Sequence, residues 1–194
     1  MSTIINADTS DGLKFTSDTS GEIKLQSAGT DTVTVDTSGN VSAAGVVTDD
    51  KPIFSATNTS NNTISDNVWT KVILNDKIID THTAFDATTN YRFTVPSGQT
   101  GTYILIARVR HDSGSAGNLL TSQIALYFNG SRLRNEYFNS DGNPTDSYAH
   151  SFQTLVNLNA GDYVELYSLC NTVSGSPLVN STIYYIEFSG HRIA

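Results

Sequence analysis

The chain has 194 residues, a formal net charge of −8 and only 15% charged residues. An acidic surface repels phosphate backbones, which excludes nucleic acid as an expected partner. The amino terminus lacks the basic and apolar regions of a signal peptide, and no apolar run could span a bilayer, so we expect synthesis in a cytoplasm without membrane insertion. Ser, Thr and Asn make up about a third of the chain, and this composition predicts an all-β protein.

The first fifty residues differ in character from the rest. Phe15 is the only aromatic residue among them, whereas Trp69 and all nine tyrosines come later. A segment without large side chains cannot bury a large core alone. We therefore predict an amino-terminal β-repeat anchor or shaft over residues 1–41, a connector over 42–51 and a head domain over 52–194.

A short repeat runs through the amino-terminal segment. Asp-Thr-Ser-Asp-Gly at 8–12 returns as Asp-Thr-Ser-Gly at 18–21 and at 36–39, and each copy predicts a turn beside a short strand. The strands carry apolar pairs two residues apart, which lie on one face. Copies of the chain could cover these pairs in an ordered assembly; a disordered polar tail is the alternative. The pairs are Leu13/Phe15, Ile23/Leu25 and Val33/Val35.

Residues 52–194 contain a succession of short strand patterns separated by clusters of Gly, Asn, Asp and Pro. Asn129-Gly130 between two such patterns predicts a two-residue hairpin. Many short strands at this spacing indicate a β-sandwich or jelly roll. The predicted strands cover residues 53–56, 68–74, 91–95, 102–110, 122–128, 133–138, 149–158, 163–170 and 182–188.

Several of these strands are apolar on both faces. Along the strand at 102–110, Ile104 and Ile106 oppose Tyr103 and Leu105. Such a strand is typically covered on one side by a second sheet and on the other by a neighbouring subunit, so we predict an oligomer. The residues predicted to lie at its interface are Tyr103, Leu105, Tyr127, Tyr185 and His191.

The sequence indicates no catalytic site and no metal site. Its four histidines form no His-x-x-x-His or His-Glu-x-x-His pair, and its single cysteine, Cys170, lies in an apolar run typical of a small buried side chain. Ser, His and Asp are present, but no Gly-x-Ser-x-Gly turn occurs. We predict no enzyme activity and no cofactor. The alternative is a metal site on a symmetry axis, where His191 of each copy of the chain would meet the others.

Three long polar loops, at residues 112–120, 139–147 and 171–181, are the candidates for ligand contact, because loops on a rigid β-scaffold commonly carry binding residues. Aromatic side chains flank the second loop and are suited to stacking on a sugar ring or gripping a protein. A place in the core or at a subunit interface is the alternative for them. The predicted receptor-contact residues are Tyr137, Phe138, Asp141, Asn143, Asp146 and Tyr148.

Short motifs in residues 52–194 occur in an order that resembles the globular head of complement subcomponent q, in the tumour-necrosis-factor-like superfamily. The resemblance implies a ten-stranded jelly roll that forms a homotrimer and binds ligands without catalysis. Some members bind calcium near the trimer axis; no acidic cluster here matches such a site, and calcium stays open. The matching segments are 53–56, 69–76, 85–96, 101–103, Leu126-Tyr127-Phe128-Asn129-Gly130, 158–164 and Phe188-Ser189-Gly190-His191-Arg192-Ile193.

The amino-terminal sequence resembles segments of virion structural proteins from tailed phages, including those of marine bacteria. The phrases that carry it are Ile-Ile-Asn-Ala-Asp-Thr-Ser-Asp-Gly-Leu-Lys from residue 4 and Ser-Asp-Thr-Ser-Gly-Glu-Ile-Lys-Leu-Gln-Ser-Ala-Gly from residue 17. The resemblance implies location on a virion, with residues 1–50 contacting other virion proteins and the head binding a host-surface glycan or protein. A capsid cement protein and a bacterial lectin-like surface protein are the alternatives.

Overall fold

A computed structural model describes residues 21–43, 51–181 and 186–194. The chain divides into two compact units, residues 1–50 and 51–194. All regular elements among the described residues are β-strands, which confirms the predicted all-β class. The strands are β1 (Ile23–Ser27), β2 (Thr30–Val35), β3 (Val41–Ala43), β4 (Ile53–Thr57), β5 (Asn62–Thr63), β6 (Thr70–Lys71), β7 (Asp76–Asp80), β8 (Phe85–Asp86), β9 (Arg92–Thr94), β10 (Gly101–Asp112), β11 (Leu119–Phe128), β12 (Ser131–Asn139), β13 (Ser147–Leu158), β14 (Tyr163–Thr172), β15 (Leu178–Val179) and β16 (Ile186–Arg192).

The first unit contains an antiparallel sheet in the order β1-β2-β3. The turn before β3 has the predicted chemistry: the Asp36 carboxylate accepts hydrogen bonds from the backbone amides of Ser38 and Asn40, and Gly39 has a φ of +82°. Residues 42 and 43, which we predicted to begin the connector, pair with β2 instead. The copy of the repeat at 8–15 lies outside the described residues.

The second unit is a sandwich of two sheets. One sheet has seven strands in the order β5-β15-β10-β16-β4-β7, with β13 also paired to β10. The other has six strands in the order β12-β11-β14-β9-β8, with β6 also paired to β14. All pairings between named strands are antiparallel, so side chains alternate between the core and the outer face of each sheet.

The core between the two sheets is dominated by large aromatic side chains. Phe54 stacks on Phe93 with ring centroids 4.3 Å apart and meets Phe188 edge-on at 5.0 Å. Tyr103 is fully buried beside Phe93, and its hydroxyl donates to the Gln99 carbonyl at 2.7 Å. Buried aromatic side chains contribute most to a small core, and all of these come from beyond residue 51, in agreement with the composition.

Glycine at position 190 permits close contact at the centre of the seven-stranded sheet. A β-carbon there would lie 2.7 Å from the Ile104 carbonyl oxygen and 3.0 Å from the Phe54 ring. The Phe-x-Gly pattern at 188–190 therefore has a packing reason, because β16 lies between β10 and β4 with no room for a side chain.

The predicted hairpin at Asn129-Gly130 is confirmed, since it joins the antiparallel strands β11 and β12. Both turn residues have positive φ, +47° and +80°, as the favoured two-residue turn requires. The prediction at 68–74 was too long, because only Thr70–Lys71 pairs there. β7 was missed altogether. Residues 182–185 of the last predicted strand lie outside the described residues.

Candidate functional site

The outer side of the seven-stranded sheet is apolar over two adjacent rows of side chains. In the first row, Ile104 of β10 is paired with Leu155 of β13 on one side and with His191 of β16 on the other, and His191 is paired with Ile53 of β4. The second row runs from Ile106 through two serines to Ile79 of β7. We call these residues the outer apolar face: Ile53, Ile79, Ile104, Ile106, Leu155 and His191.

The outer apolar face is open to solvent in a single chain. Leu155 is 62% exposed, Ile79 46% and Ile53 44%. A shallow groove of about 240 Å³ lies among Ile53, Ile79 and Ile106. At one end, the register places Arg108 opposite Glu187, so a charged pair of residues borders the apolar rows. A contiguous apolar patch with a polar border is typical of a protein–protein contact surface.

Two of the predicted interface residues belong to the core instead. Tyr103 and Leu105 are fully buried between the sheets, and the neighbouring positions Ile104 and Ile106 point outward. The prediction chose the wrong parity of β10 because both faces are apolar. The signal that could have decided it is Arg108, which shares parity with Ile104; a charged side chain belongs on the solvent side.

The other predicted interface residues have separate positions. His191 lies on the outer apolar face. Tyr127 lies on the other sheet, beside Trp69 and Tyr167. Tyr185 lies outside the described residues. Leu155 and Ile79, which the sequence analysis did not select, complete the face, and no motif marks them in the sequence.

The three polar loops predicted to contact a ligand converge at one end of the sandwich. The Gly117 amide donates to the Asp146 carboxylate at 2.5 Å, which joins the first loop to the second. The Asn118 side chain donates to the Ser174 carbonyl, also at 2.5 Å, which joins the first loop to the third. A groove of about 350 Å³ lies between the first two loops. Regions distant in sequence therefore form one polar surface.

The six predicted receptor-contact residues fall into two groups. Asp141, Asn143 and Asp146 are exposed on the loop itself, and Tyr137 is 54% exposed on β12. Phe138 and Tyr148 are half-buried and stack on each other with centroids 3.9 Å apart. The exposed group is accessible to a large ligand, whereas Tyr148 of the stacked pair also packs against the core. Their role in receptor contact stays a prediction.

A buried polar cluster lies beneath that stacked pair. The rings of His111 and His150 meet edge-on at 5.4 Å, and the Ser122 hydroxyl is 2.8 Å from His150 Nε2. Glu136 Oε2 is 3.8 Å from His150 Nδ1. A serine, a histidine and a carboxylate thus follow one another as in a hydrolase, but the Ser122 side chain is fully buried and offers a substrate no access.

Other titratable groups show no metal-binding arrangement. Cys170 is buried, and burial raises the pKa of its thiol. Within residues 21–43, 51–181 and 186–194, no three His, Cys, Asp or Glu side chains come close enough together to hold a metal ion. The same part of the chain contains no helix long and apolar enough to cross a membrane.

The amino-terminal sheet has one apolar and one polar side. Ile23 is paired with Val35 and Leu25 with Val33, so the predicted apolar pairs meet across the strands. Val41, which is 71% exposed, extends the apolar side to β3. The polar side carries Lys24, whose ammonium group lies within 3.3 Å of two carboxylates of the same sheet.

Comparison with known proteins gives matches in structure but none in sequence. No protein-family model matches the chain, and no curated protein matches it. Among solved structures, murine APRIL aligns with a TM-score of 0.54 at 11% identity, over 74% of this chain and 99% of that one. The Eiger TNF of S. frugiperda aligns with a TM-score of 0.51 at 10% identity, over 74% and 92%.

The globular domain of zebrafish complement 1qA aligns at 18% identity with a TM-score of 0.50, over 74% of this chain and 98% of that domain. At these identities the likeness concerns the fold. The alignments cover nearly the whole length of each of these proteins and 74% of this chain. The described head, a sandwich of antiparallel sheets, therefore has the jelly-roll fold shared by tumour-necrosis-factor-like and complement-1q globular domains.

Proposed function

We propose that this chain is a structural protein of a virus particle: a homotrimeric fibre or decoration protein whose head binds a glycan or protein on the host surface. The observation that carries the assembly is the outer apolar face, with two isoleucines and a leucine more than 40% exposed in a single chain. Covering such a face with a copy of the chain removes apolar surface from water, at roughly 25 cal/mol per Å².

Self-association is favoured over a different partner by the composition of the face. Its two rows carry no Asp, Glu, Lys or Arg, and the Arg108–Glu187 pair at the border carries both signs of charge. The face therefore has no net charge that would select a partner of opposite charge. A soluble acidic chain with a net charge of −8 otherwise keeps its copies apart, and an apolar contact overcomes that repulsion.

The amino-terminal sheet supports the same assembly. A three-stranded sheet with one exposed apolar side is marginally stable by itself. Three such sheets tethered to one trimeric head have a high local concentration, so their apolar sides, centred on Leu25 and Val33, associate readily. Residues 1–50 then serve as the shaft or anchor that contacts other virion proteins.

The head acts by binding and not by catalysis. The serine and histidine of the serine–histidine–carboxylate series are enclosed in the core, and the convergent loop surface contains no such series among the described residues. The resemblance of the amino-terminal sequence to virion structural proteins of tailed phages supports a location on the virion. A capsid cement protein without receptor binding, and a bacterial lectin-like surface protein, are the competing functions.

Deleting residues 140–146 from the particle-borne protein tests the receptor-binding role. We expect the native mass of the purified variant to be unchanged, because β12 and β13 lie outside the deletion, and adsorption of particles to host cells to fall. Replacing the same segment with a Gly-Ser linker of equal length controls for chain connection. Unchanged adsorption in both would reject the receptor-binding head.

Particles that lack the whole protein distinguish the cement role. A cement protein stabilises the shell, so its loss lowers the temperature at which the genome is released, while adsorption is retained. Loss of a receptor-binding fibre instead lowers adsorption and leaves the temperature of genome release unchanged. If neither property changes and the protein is also absent from purified wild-type particles, the virion function is wrong.

A further inference from the structure

Three aromatic side chains form a surface patch on the outer side of the six-stranded sheet. Tyr127 of β11 and Tyr167 of β14 are diagonal neighbours, since Tyr127 is paired with Glu165. Their ring centroids are 4.2 Å apart and their planes are inclined by 33°. Trp69, just before β6, lies 6.1 Å from Tyr127. All three are half-buried, so they present ring surface to solvent from a rigid base. We call Trp69, Tyr127 and Tyr167 the aromatic platform.

Three cationic side chains surround the aromatic platform. The guanidinium carbon of Arg132 is 5.6 Å from the Trp69 ring centroid, and Lys71 Nζ is 5.9 Å from that of Tyr167. Arg92 lies over the adjacent Tyr163 ring at 4.0 Å. Two of the three platform rings, those of Trp69 and Tyr167, thereby have a positive group beside them.

The positive charge of this region is only partly neutralised. The nearly buried Glu165 forms an ion pair with Lys71, with 2.5 Å between Oε1 and Nζ. Among the described residues, neither Arg92 nor Arg132 has a carboxylate within ion-pair distance. Glu165 and Asp86 are both cross-strand neighbours of Arg92, so two carboxylates offset two of the three cations. The charge of Arg132 is left over, in a chain whose net charge is −8. An anionic ligand is thus attracted to this patch and repelled elsewhere.

The backbone around the platform favours a sugar over a peptide. β11 is paired on both sides, with β12 and β14, and at Tyr167 β14 is likewise paired on both sides, with β11 and β6. No free strand edge is offered at Tyr127 or Tyr167 for a peptide to extend the sheet. Flat, amphipathic rings suit the apolar face of a pyranose, and arginine binds a carboxylate through paired N–H groups.

We infer that the aromatic platform binds an acidic carbohydrate, with sugar rings stacked on Trp69 and Tyr127 and a uronate carboxylate paired with Arg132. The platform belongs to the sheet opposite the outer apolar face, so the two surfaces lie on opposite sides of the sandwich. Three copies on one head give a multivalent surface for a polymeric glycan. The inference names a ligand class within the proposed host-surface binding, and that biological role rests on the proposed function.

The test uses the purified full-length protein with an oligogalacturonate as the probe. Trp69 is the only tryptophan, so its fluorescence reports directly on the platform. We expect a saturable change in emission that weakens as salt is added, and little change with the methyl-esterified oligomer, whose carboxylates are masked. Equal binding of both oligomers, or none of either, would overturn the inference. If poly-glutamate binds with the same affinity as the oligogalacturonate, the site recognises acidic polymers in general. That result would also overturn the inference.

A matched pair of variants locates the site. Arg132→Gln is expected to weaken oligogalacturonate binding by roughly five- to tenfold, the effect of one charge-assisted hydrogen bond. Arg134→Gln on the same strand is expected to have no effect, because Arg134 points to the other side, over Phe152. Both arginines are exposed, so folding is preserved. Equal affinities of the two variants would refute the assignment. Because the assay needs no virus particle, its failure is distinguishable from failure of the proposed virion function.

Discussion

At the scale of single residues, His111 and His150 are the unusual members of the core. Both are fully buried, and neither ring nitrogen of His111 has a hydrogen-bond partner among the described residues. Burial lowers the pKa of His111 to about 3, with a further contribution from His150, and burial lowers the pKa of His150 to about 4. Both imidazoles are therefore neutral in the folded protein at neutral pH.

This pair predicts that the head loses stability in mild acid. The unfolded chain binds a proton at each histidine as the pH falls below 6.5, whereas the folded chain does not until about pH 4. The stabilising effect is thus complete above pH 6.5 and is lost as the pH falls from there to about 4 for His150 and to about 3 for His111. Each histidine should lower the free energy of unfolding by about 2 kcal/mol between pH 7.5 and 5.

Denaturant unfolding of wild type and His111→Leu at those two pH values, at one protein concentration, measures this effect. The variant should lose about half as much stability as wild type over the interval, because one of two histidines is gone. His82→Leu is the control, since His82 is outside the buried cluster. Equal acid losses in wild type and His111→Leu would contradict the account.

At the scale of elements, the β11–β12 hairpin connects two parts of the six-stranded sheet. The Asn129 side chain donates to the Asp162 carboxylate at 2.8 Å and accepts from the Tyr163 amide at 2.9 Å. The hydrogen bond from Asn129 is the largest cause of the lowered pKa of Asp162. One turn residue therefore fixes both the hairpin and the turn that precedes β14.

Asn129→Ala is predicted to destabilise the head by about 1–2 kcal/mol, through two lost hydrogen bonds and a positive φ that alanine disfavours. The pKa of Asp162 should rise towards its ordinary value in the variant, which an NMR titration measures. Ser131→Ala, one residue beyond the turn, is the control. A variant in which Asp162 titrates as in wild type would show that this link between the turns is absent.

The elements that the sequence predicted well are those with strong local signals. Long alternating strands such as β10 and β11 and the Asn-Gly turn follow from residue pattern alone. β7 was missed because its central isoleucines are flanked by Asp and Lys, which obscures the alternation. The direction of β10 side chains was misjudged because Tyr103 and Ile104 are both apolar, so only tertiary structure decides which faces the core.

The candidate surfaces were harder to predict than the strands. The outer apolar face combines side chains from five strands, and Ile53 and Leu155 are about a hundred positions apart. The aromatic platform likewise joins Trp69 to Tyr167. Such sets are defined by strand order and register, which depend on long-range pairing and not on local pattern.

At the scale of the whole molecule, the two sheets present surfaces of different character. The outer apolar face, without charges in its two rows, suits contact between copies, while the aromatic platform carries surplus positive charge and suits a ligand. The two surfaces lie on opposite sides of the sandwich. This separation supports our proposal that one surface serves assembly and the other serves recognition.

The most direct test is the native mass of the full chain by multi-angle light scattering. We predict three times 20.9 kDa for wild type and 20.9 kDa for Leu155→Glu, which places a charge on the outer apolar face. Val173→Glu, at a similarly exposed loop position, should remain a trimer. A wild-type chain of 20.9 kDa, or a Leu155→Glu variant that stays trimeric, would contradict assembly through this face.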